Sequence, residues 1–123
     1  MAGITSTLRK RRDFQKLYEE GRAYHGVNLV VMIRRTGESP GMLAFVASRR
    51  VGSAVRRNRA RRILREAFRT LGVDLREEDV HIAFIARATC ATVKMQVVRD
   101  EMKRILKVAG ILRTDTEIDN RPA

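Results

Sequence analysis

The stretch Arg49–Arg69, RRVGSAVRRNRARRILREAFR, decides how the rest of the 123-residue chain is read. It holds nine arginines, no lysine and a single acid, Glu66. Ile63, Leu64, Ala67, Phe68 and Leu71, joined upstream by Val55, recur at the spacing of one helix face. Ser53 is suited to cap the start, and Gly72 stands just past the last apolar residue. Arg62, Arg65 and Arg69 fall on the face turned away from that stripe, with Asn58 four residues before Arg62. Arg56, Arg57 and Arg59 crowd the first turns, and Arg61 adjoins them. The pattern predicts a helix fixed to a core on one side and presenting guanidiniums on the other.

Such a helix needs a polyanion. Seven arginines between Arg56 and Arg69 repel one another, and the first turn disfavours cations because the helix dipole is positive there. A phosphate backbone neutralises all of them, and guanidinium grips phosphate with two parallel hydrogen bonds. A solvated charged face is the plainer reading, but such faces interleave acids, of which this one has almost none. Nucleic acid is the predicted partner.

Composition agrees. The length suits one domain able to bury a core without disulfides or metal. At 44% apolar residues the chain is no extended basic tail. Residues 1–69 carry seventeen Lys and Arg against five acids, whereas residues 70–123 carry nine against nine, so the net charge of +12 lies entirely in the first part. Cys90, the lone cysteine, cannot form an internal disulfide, and with only His25 and His81 it makes no ordinary zinc site. It reads as a buried or semi-buried residue near a strand end and suits a reducing cytosol. Neither a membrane span nor the apolar core of a signal peptide is visible, so a cytoplasmic protein is expected.

In chain order, Met1–Thr7 reads as a frayed small-residue segment. Leu8–Glu20 reads as a helix ended by Gly21, with Arg9–Arg12 at its front and Phe14, Leu17 and Tyr18 on one face. The two aromatics either dock the helix on a sheet or stay open to stack on an unpaired base. Val27–Ile33, Met42–Ser48 and Val80–Ala86 read as strands. The first two most simply form an antiparallel pair, and the arginine helix makes the last two parallel through a crossover. His81 reads as a half-exposed strand residue. Thr92 is suited to cap a last helix reaching Ala109, with Met95, Val98, Met102, Ile105 and Leu106 as its core stripe. A single domain over 1–113 and a disordered tail over 114–123 follow. No phosphate loop, nucleophile–base pair or carboxylate cluster appears, so no catalytic or metal-ligating residue is assigned.

The block Val51–Arg69, with its central Arg57-Asn58-Arg59, closely resembles the signature of the protein component of bacterial ribonuclease P. Leu8-Arg9-Lys10 and Asp13–Tyr18, followed by Gly21, resemble that family's first helix, and the likeness runs over roughly residues 8–112. It implies an α/β two-layer sandwich with a small mixed sheet, similar to a domain of ribosomal protein S five and of elongation factor G. It also implies a left-handed β-α-β crossover, against the usual rule. Further implied are a catalytic RNA subunit as partner, precursor tRNA as substrate, and Mg2+ held mainly by the RNA, with the protein a monomer. On this resemblance Arg56, Arg57, Asn58, Arg59, Arg61, Arg62, Arg65 and Arg69 face the catalytic RNA, while Phe14, Tyr18, Arg49 and Arg50 line the 5′-leader cleft together with alternate residues of 27–33. A ribosomal or RNA-chaperone protein would share the charge but show no leader preference. A DNA-binding module would need mixed side chains for base reading, which this helix lacks.

Overall fold

The computed structural model describes residues 6–112, and its elements follow the apolar patterning of the chain. In order they are β1 (Ser6–Thr7), α1 (Arg11–Glu20), β2 (Arg22–His25), β3 (Leu29–Arg35), β4 (Met42–Val46), α2 (Ala54–Leu71), β5 (Val80–Ala86) and α3 (Met95–Val108). Short 3-10 turns at Arg49–Val51 and Ala88–Ala91 precede α2 and α3. The five strands form one mixed sheet in the order β1-β4-β5-β3-β2. β4 runs parallel to both β1 and β5, while β3 is antiparallel to β5 and β2.

The fold is thus the expected mixed α/β sandwich, but its neighbours differ from the sequence reading in one respect. β3 and β4 do not pair. β5, last in the chain, lies between them, with Val31 opposite Phe84 on one side and Phe45 opposite Phe84 on the other. A strand apolar on both faces belongs at the centre of a sheet, and β5 is buried at five of its seven positions. The predicted parallel β4–α2–β5 crossover is present.

Other boundaries move for local reasons. Ser6–Thr7, read as frayed, pairs with Met42–Leu43. Arg22–His25 escaped notice because an exposed edge strand carries polar residues and no apolar alternation. α1 starts at Arg11 rather than Leu8, whose side chain is buried. α3 starts after Lys94, and Thr92 instead closes the preceding turn, its hydroxyl donating to the Thr89 carbonyl at 2.8 Å. Residues 1–5 and the tail expected over 114–123 lie outside the described residues.

Alternation along the strands sorts side chains to two faces. Leu29, Val31, Leu43, Ile82 and Phe84 face α2 and α3 in the larger core. There Phe84 stacks on Phe45 with centroids 5.5 Å apart and meets Phe68 of α2 at 5.4 Å. Phe84 and Phe68, both buried, each contribute about 1.5–3 kcal/mol by leaving water, and the partly buried Phe45 less. On the opposite face Ala44, Ala83 and Met32 lie side by side in register, and the two small residues let α1 approach through Leu17 and Phe14. One face therefore carries α2 and α3, the other α1.

Candidate nucleic-acid interface

α2 is fixed at both ends as its sequence predicts. Ser53 Oγ accepts from the Arg56 amide at 3.3 Å, and Gly72 closes the helix at φ 67°, a left-handed conformation that glycine adopts without penalty. Ala60, Leu64, Ala67 and Phe68 are buried, so the apolar stripe runs as expected, with one exception. Val55 is 77% exposed: one turn before Ala60's face begins, it points to solvent beside the arginines.

The arginines do not form a uniform comb. Arg56 Nε donates to the Val51 carbonyl at 3.1 Å, Arg57 Nη1 to the Gly52 carbonyl at 2.9 Å, and Arg61 to the Ala47 carbonyl and the Asn58 side chain. These three tie the start of α2 to the preceding turn. Gly52 permits the tie, since at φ 131° a Cβ there would meet the Arg56 side chain at 2.8 Å. Arg65 lies 5.5 Å over the Phe45 ring, and Arg69 pairs with Glu66 at 2.6 Å. Arg59 and Arg62 are exposed and make no hydrogen bond or ion pair among the described residues. The latter two are fully available to an external anion.

A second surface lies across the sheet. Phe14 and Tyr18, one turn apart on α1, have ring centroids 6.3 Å apart at 27°. Phe14 is half-buried against the Met32–Ala44–Ala83 floor and helps dock the helix, whereas Tyr18 is 46% exposed. Partial burial raises the Tyr18 phenol above its ordinary pKa. Val46 and Ile85 continue this face beyond the rings. Of the strand residues at 27–33, Val30 and Met32 share it. Arg49 and Arg50 are exposed in the turn between β4 and α2, with Ser48 Oγ accepting from the Arg50 amide. Chain connectivity therefore sets them between the two surfaces.

The family described as Ribonuclease P matches residues 4–110, a span that includes every element from β1 to α3. The chain belongs to the ribonuclease P protein family. A ribonuclease P protein component of Dehalococcoides mccartyi (strain CBDB1) is 38% identical over 109 residues, covering 88% of each chain. The solved ribonuclease P protein of Thermotoga maritima is 32% identical, with a TM-score of 0.70 over 84% of this chain and 96% of that one. A Staphylococcus aureus ribonuclease P protein, 24% identical, shares the fold at a TM-score of 0.73, covering 87% of this chain and 97% of that one.

Among the described residues no three of His, Cys, Asp or Glu come together as a metal site. Asp74 grips Arg76 through both carboxylate oxygens, and those hydrogen bonds hold its pKa down at about 2. Cys90 is buried with Sγ 3.9 Å from the Ala60 carbonyl, and burial pushes its thiol up to about 11. It is a packing residue of the α2 contact. No helix among the described residues is long and apolar enough to cross a membrane.

The sequence reading missed one basic pair: Arg87, just past β5, reaches His25 Nδ1 at 3.3 Å. His25 lies opposite Val30, which puts the pair at the rim of the aromatic face. An arginine following a continuous apolar strand was the available signal.

Proposed function

We propose that this chain is the protein subunit of a ribonucleoprotein endonuclease that removes the 5′ leader from precursor tRNA in the cytoplasm. The observation that carries the reading is the separation of two surfaces by one sheet. On one side stand the exposed, unpaired Arg59 and Arg62 of α2; on the other, the stacked Phe14 and Tyr18. The relatives named as ribonuclease P protein components support the assignment.

In this reading α2 docks on the catalytic RNA through phosphates, which gives affinity and salt dependence with little base reading. Arg56, Arg57 and Arg61 brace the helix, while Arg59, Arg62, Arg65, Arg69 and Asn58 meet the RNA. The α1 face holds single-stranded leader nucleotides on Phe14 and Tyr18, each stacked base contributing about 1–3 kcal/mol, with Arg49 and Arg50 on the phosphates. Mg2+ is carried by the RNA partner, where it supplies the activated water and stabilises the leaving oxygen. Among the described residues no three acids or other ligating side chains come together to hold such an ion, and in this reading the protein's part is binding and orientation. In this reading the protein itself is a monomer.

The test is precursor tRNA cleavage at low magnesium by protein alone, catalytic RNA alone and both together. Cleavage at the mature 5′ end only in the combined reaction is expected. Absence of stimulation would return the chain to a general RNA-binding role of ribosomal or chaperone type, and cleavage by protein alone would require an active site on it.

A further inference from the structure

α1 has a second flank that neither surface above uses. Relative to Phe14, Tyr18 stands on one side of the helix, while Asp13 and Lys16 stand on the other. On that other flank a groove of about 630 Å3 opens between α1 and the end of the sheet where Met42, His81 and Arg34 lie in register. Arg9, Lys10, Arg12, Lys16 and Arg34 line it, against only Asp13 and Glu38, and Thr36 and Ser39 add hydroxyls. Arg34 is engaged with Glu20 at 3.2 Å. The other four cations are exposed and make no ion pair among the described residues.

Their placement is unfavourable for the protein alone. Lys10 occupies the N-cap position of α1 without a side-chain hydrogen bond to the helix, and Arg11 and Arg12 follow it where the dipole is positive, with Asp13 as the one acid of that turn. A bound phosphate relieves both faults, accepting from the amides of Arg11 and Arg12, which precede the first helical hydrogen bond from Asp13 to the Lys10 carbonyl, and from the cations around it.

We infer that this groove is a second phosphate subsite, which takes the backbone of leader nucleotides lying farther from the cleavage site than those on Phe14 and Tyr18. The inference rests on the function proposed above. The leader is favoured over the catalytic RNA because groove and rings belong to one helix and one sheet face, whereas α2 packs on the opposite face. A strand leaving the rings reaches the groove by passing the first turn of α1. The contacts are to phosphate and charge, so the subsite reads leader length and not leader sequence.

The test uses the reconstituted holoenzyme and three substrates: mature tRNA, precursor with a short leader that fills only the aromatic face, and precursor with a long leader. The wild type should bind the long-leader precursor more tightly than the short one, and the short one more tightly than mature tRNA. Arg12→Ala/Lys16→Ala should lose the advantage of the long leader, about tenfold, and flatten its salt slope by about 1.4 for two single-strand phosphate contacts. Its binding of the other two substrates should be unchanged, and Phe14→Ala should weaken both precursors. A double variant that keeps the long-leader advantage overturns the subsite while leaving the leader reading intact. Equal losses on all three substrates, or weaker binding of the catalytic RNA itself, would give the groove to that RNA instead. The same selective loss in Lys94→Ala/Arg104→Ala, one residue at the N-cap of α3 and one on it, would reduce the effect to net charge. If the wild type binds mature tRNA and short-leader precursor equally, the leader reading itself falls.

Discussion

Among the described residues Glu101 is the buried carboxylate, and it forms no ion pair there. Its two oxygens accept from the main-chain amides of Val27 at 3.0 Å and Asn28 at 2.8 Å, which pins the β2–β3 turn to α3. Glu101→Ala leaves both amides without an acceptor and is expected to cost about 2–5 kcal/mol in urea unfolding. Glu101→Gln, which turns an NH2 group toward one amide, should fall between it and the wild type; a neutral Ala variant would mean that water replaces the carboxylate. His81 gives a pH dependence. Burial lowers its pKa, Arg34 lowers it further and Asp13 opposes them, so the folded ring resists protonation more than the unfolded one. Below the ordinary value near 6.5 the unfolded chain binds a proton that the folded chain refuses. The stability contribution is therefore complete above pH 6.5 and declines as pH falls toward the lowered folded value. NMR titration of the ring should give a midpoint below 6.5, and His81→Gln should remove that part of the stability profile.

At the scale of elements, α2 was legible because local chemistry defines it: Ser53 and Gly72 punctuate it, and the apolar period selects Leu64, Ala67 and Phe68. The division of labour among its arginines was not legible, since it depends on where the carbonyls of Ala47, Val51 and Gly52 come to lie. That division makes a prediction. Arg59→Ala and Arg62→Ala should weaken catalytic-RNA binding and reduce its salt slope with no change in Tm. Arg57→Ala should lower RNA affinity and also stability, by about 1 kcal/mol for the lost hydrogen bond. Filter binding across a salt series and thermal melts separate the two classes; identical Tm losses in all three would erase the distinction. The strand β2 and the α3 start were hidden for the converse reason. RAYH becomes a strand only because β3 is beside it, and Thr92 would be as good a cap as any had the chain not first made a 3-10 turn.

At the scale of the molecule, the arrangement of strands was the least legible feature, because pairing is chosen by burial across long separations and not by proximity in sequence. β3 and β4, only a turn apart, wait for β5 to come between them. A fragment of residues 1–79 should accordingly show no cooperative unfolding by circular dichroism, whereas the full chain should; a cooperative transition in the fragment would mean that β3 and β4 pair without β5. This connectivity also orders events in time. Synthesis runs from the N-terminus, so the arginine helix emerges from the ribosome before the strand that completes the sheet does. For that interval the most cationic segment of the chain is displayed beside ribosomal RNA, the largest polyanion in its vicinity, with no architecture to restrain it. A newborn molecule thus meets the wrong RNA first, and completing β5 is what commits α2 to its core and leaves only the outer arginines to choose a partner.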